Sequence, residues 1–253
     1  MTQPDLSIII PAYNEADRIG DTIASLATFL SKHDYGDVEV LIISQDSHTH
    51  RLAALECKGH KGFRSIELTE RAGKGGAVRI GMFEARGRYR LFMDADLATP
   101  LHHLDAVFEV MERKADVAIA VRHIDVTHTG VRKFISEFGN LLTRVLLTPG
   151  IADTQCGFKV FEADVAKQLF GRQRITGWAF DMELLAIARK LQYKIDIIEA
   201  DDWHDPKTEG LVGDSNAKAA LESGIDMLKI KWRLMTGQYK RITYHHRPLP
   251  QLA

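Results

Sequence analysis

The chain has 253 residues, 45% hydrophobic and 26% charged, and its 33 Lys and Arg against 34 Asp and Glu leave a formal charge of −1. That balance excludes a disordered or collagen-like chain, and a chain of this length buries roughly 70–75% of the surface its unfolded form exposes, enough for one sizeable core. Two cysteines, Cys57 and Cys156, without CxxC spacing, exclude a disulfide framework and point to a reducing, cytoplasmic compartment.

The chain opens MTQPDLSIIIPAYNE, with no basic segment before its short apolar run, and nowhere do about 18 apolar residues follow one another, so neither an export signal nor a membrane span is expected. Continuously apolar runs at 6–10 (LSIII), 38–43 (VEVLII), 90–93 (RLFM) and 117–121 (VAIAV) read as interior strands of a parallel sheet, because such strands bury both faces. Between the first two, Ile19, Ile23, Leu26 and Leu30 have helical spacing, with Asn14 or Asp17 as N-cap. Val78, Met82 and Ala85 mark a second helix, and Leu104, Val107, Phe108 and Met111 a third. Strand and helix alternating to about residue 121 predict a doubly wound α/β unit, whose ligands lie beyond the carboxyl ends of the strands. Further on the pattern predicts helices near 132–147, 180–191 and 217–235, a short extended piece at 158–161 and a strand at 195–198. No linker or repeat interrupts this, so one domain over 1–215 is expected, in two halves (1–121 and 122–215), followed by a basic amphipathic extension over 216–253. Residues 217–253 carry seven Lys or Arg against Glu222 and Asp226.

Three segments carry chemistry, two of them at strand ends. In RLFMDADLATP, Asp94 and Asp96 follow a buried strand at i and i+2, a spacing that sends both side chains to one side of an extended chain. Paired carboxylates suit a hard cation such as Mg²⁺ or Mn²⁺ that also binds phosphate; the alternative is a turn in which one of them merely caps the helix beginning at Pro100 or Leu101. In PAYNEADRI, Glu15 and the amides opening the helix suit a polar ligand such as a nucleoside, or else Pro11 merely ends the strand. RAGKGGAV places Arg71, Lys74 and glycines before a helix, as a diphosphate requires, but it has neither the Walker spacing nor a GxGxxG.

Taken with DTQCGFKVF and GWAFDMELL, these segments resemble, in order over residues 5–205, the inverting nucleotide-sugar glycosyltransferases of family two, and among them those that load sugars onto polyprenyl (dolichyl-type) phosphates. The resemblance implies a GT-A fold with a Rossmann-like, mostly parallel central sheet. It also implies a nucleotide-sugar donor of the UDP-glucose or GDP-mannose type and a divalent metal at the acid pair. By position, Pro11, Ala12, Tyr13 and Glu15 would line the nucleoside pocket, and Lys74 would lie near the donor. Asp94, Ala95 and Asp96 would face metal and diphosphate. Where relatives end the second strand in a DDGS-like string, this chain reads SQDS. Ser44 and Gln45 replace two acids, and Asp46 takes over by a shifted loop or is a turn residue.

The resemblance places Asp181 at the acceptor side, where a base would stand, but acids at a helix N-terminus are favoured by its dipole whatever the function. For a hydroxyl acceptor Asp181 is the expected general base. A phosphate monoester is already anionic, and cations then matter more: Arg122, Arg132 and Lys133, with Lys159 of DTQCGFK as a further phosphate contact. Trp203, His204 and Asp205 match a donor-site string of relatives, making His204 a third metal ligand or a loop histidine. Apolar stripes flanked by Lys and Arg over 132–147 and 225–234 suit an anionic membrane surface, the peripheral site expected for a lipid-phosphate acceptor at the inner face. Nucleic acid is not among the expected partners. A soluble or glycan hydroxyl acceptor, or a silent nucleotide-binding relative, are the alternative readings.

Overall fold

The computed structural model describes residues 3–122, 147–148, 151, 153–154, 156–200, 202 and 215–245, with Arg122 and residues 215–221 described in the backbone alone. The expected helix at 132–147, all but its last residue Leu147, and the residues Arg132, Lys133, Trp203, His204 and Asp205 lie outside these.

Seven strands form one sheet: β1 (Leu6–Ala12), β2 (Val38–Ser44), β3 (Phe63–Glu67), β4 (Tyr89–Met93), β5 (Val117–Arg122), β6 (Phe158–Glu162) and β7 (Ile195–Ala200), in the order β3-β2-β1-β4-β6-β5-β7. All neighbours are parallel except those of β6, which runs antiparallel to both β4 and β5. The piece expected at 158–161 is therefore a central strand, and the sheet changes character at the edge of β4.

The unbroken apolar runs are explained by the two-residue period of a strand. Ile8, Ile10, Val40, Ile42 and Leu91 point into one core, under α1 (Ile19–Ser31), α2 (Ser47–Cys57) and α4 (Leu104–Glu112). Ile9, Leu41, Ile43 and Phe92 point into the other, under α3 (Gly73–Glu84), α5 (Ala163–Arg172) and α6 (Phe180–Lys190), joined by the inner face of α7 (Ser215–Met235). Each fully buried Ile or Phe contributes about 1.5–3 kcal/mol. One transverse row of registered residues runs Arg64, Leu41, Ile9, Phe92, Lys159, Ile119 and Ile197, and inward of the edge strand β3 its only charge is Lys159.

Three elements escape the apolar pattern. β3, FRSIE, is partly exposed along its length, α2 has few apolar residues, and α5 follows β6 directly. The expected caps of α1 also differ. Arg18 precedes the helix without a side-chain cap, and Asn14 takes a left-handed φ of 57°. α3 starts at Gly73, earlier than its apolar spacing suggests.

At the end of the sheet away from the strands' carboxyl edge, buried Glu39 clamps the turn before β4. It accepts from the Ser7 hydroxyl at 2.6 Å and from the backbone and guanidinium of Arg86 at 2.5, 3.1 and 3.0 Å. Burial raises its pKa, but the bonds from Ser7 and Arg86 outweigh it and hold the carboxyl below its ordinary 4.5. A folded pKa below the unfolded one stabilises above about pH 4.5 and is lost as the pH falls through the folded value. We therefore expect Glu39→Ala to cost about 2–4 kcal/mol in denaturant unfolding at pH 7. The difference from the unsubstituted chain should shrink as unfolding is repeated at lower pH.

Candidate active site

The carboxyl ends of β1, β2 and β4 open onto a cavity of about 570 Å³ lined by Pro11, Tyr13, Glu15, Gln45, Arg71, Lys74, Asp94, Asp96 and Trp178, among others. Each wall is fixed by a specific local interaction. The loop after β1 is tied to the start of α2: the Asn14 amide donates to Asp46 Oδ2 at 2.8 Å and the Glu15 amide to Thr49 Oγ1 at 3.0 Å. The loop after β4 is tied to α1, where Thr22 Oγ1 donates to the Ala95 carbonyl at 2.6 Å. Leu97 turns left-handed at φ 54°, and Asp96 Oδ1 accepts from the Ala98 amide at 3.0 Å.

Asp94 owes its place to a glycine on the neighbouring strand entry. Its amide donates to the Gly157 carbonyl at 3.1 Å, and a Cβ at residue 157 would fall 1.9 Å from Asp94 Oδ2. Gly157 thus leaves the space that the carboxylate fills. Asp94 Oδ1 meets Lys74 Nζ at 2.6 Å. Burial works to lower the Lys74 pKa, but Asp94, Asp181 and Asp96 outweigh it and raise it, so Lys74 stays charged. The glycines around Lys74 serve close packing. A Cβ on Gly75 would meet the Phe180 side chain at 2.5 Å, and left-handed Gly73 (φ 74°) lies against the Thr176 carbonyl. α3 thereby presses onto the loop that carries Thr176, Gly177 and Trp178.

That loop is held from below by Glu183, which accepts from the amides of Arg174 and Ile175 at 2.9 and 2.8 Å and from the Tyr239 hydroxyl at 2.6 Å. Two cations on the cavity wall are faced by aromatic rings: the Arg71 guanidinium lies 3.9 Å from the Tyr13 ring centre and Lys74 Nζ 5.0 Å from that of Trp178. Trp178, 69% exposed, went unremarked in the sequence. A bulky aromatic just after Gly177 in a polar stretch was its available signal.

The acids of the cavity outnumber its cations near β4. Burial pushes the Glu15 carboxyl above its ordinary range, Arg18 opposes this, and Asp96, Asp94 and Asp46 add to it. Asp94 and Asp96 offer the hard oxygen donors that a divalent cation such as Mg²⁺ or Mn²⁺ takes, while Glu15 is paired with Arg18 at 2.9 Å and one oxygen of Asp94 with Lys74. Arg71 and Lys74 on the adjacent wall suit an anion with several phosphate oxygens.

Several expected residues stand elsewhere. Asp46 caps α2, with Oδ1 accepting from the Thr49 amide at 2.8 Å and Oδ2 from Asn14, so both its oxygens serve the backbone; Gln45 reaches the cavity instead. The Ala12 side chain is buried in the core, while Ala95 lines the cavity. Lys159 is not a surface phosphate contact: it is fully buried, with Nζ 2.8 Å from Asp181 Oδ1 and donating also to the Cys156 carbonyl. Asp181 is 3% exposed, sits among core residues at the start of α6 and is not among the residues lining the cavity. Burial raises its pKa, against the pull of Lys159 and Lys74. For Arg122 only the backbone is described, at the end of β5.

A parallel half-sheet with an acid pair beyond its central strand, continued through an antiparallel strand into a second half, is the GT-A glycosyltransferase architecture. The chain belongs to this class by descent as well. Residues 7–170 match the model of glycosyl transferase family 2, and the protein is a family 2 glycosyltransferase. It is 31% identical over 253 residues to a dolichyl-phosphate beta-glucosyltransferase of Dictyostelium discoideum, covering 93% of this chain and 76% of the relative. It is 36% identical over 207 residues to the Drosophila melanogaster protein of the same name, covering 74% and 64%. In structure it is similar to glucosyl-3-phosphoglycerate synthase of Mycobacterium tuberculosis, crystallised with Mn²⁺, UDP-glucose and phosphoglyceric acid, at a TM-score of 0.66 and 17% identity over 90% of this chain and 80% of that one.

Gly157→Ala tests the placement of Asp94. The new methyl displaces the carboxylate by more than an ångström, and a shift of that size costs about 100-fold in rate. We expect kcat/KM to fall by about that factor in a sugar-transfer assay, with an unchanged circular dichroism spectrum.

Proposed function

We propose that the protein transfers a hexose, glucose first of all, from a nucleotide diphosphate sugar to a polyprenyl phosphate, with inversion at the anomeric carbon. The observation that carries this reading is the cavity at the end of β4, where Glu15, Asp94 and Asp96 face Lys74 and Arg71. The curated relatives, named for glucosyl transfer to dolichyl phosphate, support the sugar and the acceptor class.

Asp94 and Asp96 would hold Mg²⁺ or Mn²⁺, which would supply charge stabilisation to the departing nucleoside diphosphate. His204 remains an additional ligand suggested by the sequence resemblance alone. Lys74, kept charged by Asp94, and Arg71, stacked on Tyr13, take up the diphosphate oxygens. Tyr13 and Gln45 border the nucleoside end, and Trp178 offers an apolar face to the sugar side. Asp181 has no part as a base here, because a phosphate monoester acceptor reaches the site already anionic. Arg122, Arg132 and Lys133 are the cations that the sequence offers for that phosphate.

A lipid acceptor requires the enzyme to meet a membrane. No described helix is long and apolar enough to cross one. Helix α7 instead has two faces. Met227 and Ile230 are buried against the core, whereas Ile225, Leu228, Trp232 and Met235 are 45%, 62%, 57% and 76% exposed, one apolar stripe beside Lys229 and Lys231. An exposed apolar stripe flanked by lysines suits an anionic lipid surface, on which the protein would sit peripherally from the cytoplasmic side.

Two measurements test this reading. With Mn²⁺ and a polyprenyl phosphate in detergent, UDP-glucose should give glycolipid, Asp96→Ala should lower turnover by at least about 100-fold, and chelation should abolish it. Transfer to a glycan hydroxyl in place of the lipid phosphate would refute the acceptor. In co-sedimentation with vesicles, the unsubstituted chain should bind those containing anionic lipid, and a Leu228→Glu, Trp232→Glu, Met235→Glu variant should stay in the supernatant. Equal binding by both would exclude the α7 stripe.

A further inference from the structure

We propose a second metal site, separate from the acid pair, at His102, His103 and Asp202, of a kind that binds Zn²⁺ or a similar nitrogen-seeking divalent ion. The two histidines form the short helical turn Leu101–His103 between the loop of Asp96 and helix α4, and Asp202 follows the end of β7. Residues nearly a hundred apart are thus brought to one point. His103 Nε2 lies 2.6 Å from Asp202 Oδ1 and His102 Nε2 lies 3.1 Å from Oδ2. One ligand atom from each of the three falls within 4.8 Å of the others, and among the described residues no other group of His, Cys, Asp and Glu converges in this way.

Hydrogen bonding alone accounts poorly for this arrangement. Adjacent residues turn both imidazoles, with ring centres 4.4 Å apart, onto one carboxylate through the same ring nitrogen. Ordering His102, whose side chain is 56% exposed, for one solvent-screened contact with a half-exposed aspartate returns little free energy. Two imidazole nitrogens and a carboxylate oxygen around a common ion return far more, and three protein ligands with a water completing a tetrahedron is a familiar zinc set. His103 is nearly buried and anchors the set, while the other two ligands stay open to solvent for entry of the ion.

Chemistry also separates this site from the catalytic one. Imidazole nitrogen favours Zn²⁺, Co²⁺, Ni²⁺ and Cu²⁺, whereas the all-oxygen set of Glu15, Asp94 and Asp96 suits Mg²⁺ and Mn²⁺. None of the three residues lines the cavity. A bound ion would pin the turn just beyond the acid pair to the end of β7, making it a clip between the two halves of the sheet.

The experiment titrates the metal-free, tag-free chain with Co²⁺ and with Zn²⁺. We expect about one equivalent of Co²⁺ to give the intense visible absorption of a four-coordinate site, and Zn²⁺ at a hundredfold excess over its Kd to raise Tm by about 5–10 °C. His102→Asn, at an exposed position that does not threaten folding, and His103→Asn should each lose the band and the Tm shift. Asp94→Asn should keep both. The proposal is overturned if the unsubstituted chain shows neither signal, if either persists in His102→Asn, or if Asp94→Asn abolishes them. Because no arm reads sugar transfer, a failed glucosyl assay and a failed metal titration remain distinct results.

Discussion

The position of one carboxylate, Asp94, organises the molecule. It stands where the sheet changes from parallel to antiparallel pairing, at the end of β4 and against the entry to β6, so its surroundings come from both halves of the chain. Gly157 leaves it room, Lys74 neutralises one of its oxygens, and Lys74 in turn feels Asp181 and Asp96. Beneath this group lies Lys159, the one charge among the inner strands of that row, paired with Asp181. A buried pair of this sort adds little net stability, but removing either member alone leaves an uncompensated charge and costs about 3–5 kcal/mol.

The charge inventory of the cavity also decides which chemistry it suits. Its acids, Glu15, Asp94 and Asp96, and its cations, Arg71 and Lys74, line the same cavity, while Asp181 is buried in the core. A hydroxyl nucleophile would need a proton acceptor at hydrogen-bond reach, and a phosphate would not. The withdrawal of Asp181 from the wall is thus compatible with an acceptor that arrives as its own anion.

Much of this was legible in the chain. Strands buried on both faces announced themselves as apolar runs, and the placement of ligands beyond their carboxyl ends led to Glu15, Asp94 and Asp96, while Lys74 was marked by the glycines opening a helix. What misled was local ambiguity. Asp46 and Asp181 have the composition of site residues, yet one caps α2 and the other counters a buried lysine, and neither role can be told from a string of letters without knowing what packs against it. Lys159 read as a phosphate contact beside Gly157, and only its partner Asp181, at the start of α6, reveals it as a buried lysine. The glycines around Lys74 suggested a phosphate cradle, whereas Gly75 is demanded by Phe180, a residue a hundred positions away. β3 and α2 were missed because partly exposed elements carry a weak apolar period.

The C-terminal segment, read from sequence as an appended extension, is integral to the site. Tyr239 donates to the same Glu183 that holds the amides of Arg174 and Ile175, and Arg233 of α7 lies 3.5 Å from that carboxylate. Burial of Glu183 raises its pKa, and the bonds from Tyr239 and the two amides oppose the rise. Through this one side chain α7 is joined to the loop of Thr176, Gly177 and Trp178. The helix that turns Leu228, Trp232 and Met235 outward therefore shares a rigid connection with the cavity wall. A surface contact that shifted α7 by an ångström would have to move Arg233 and Tyr239 against Glu183, and close packing passes such a displacement on to the Trp178 loop rather than absorbing it. The apolar stripe of α7 and the Trp178 loop of the cavity thus meet through Glu183.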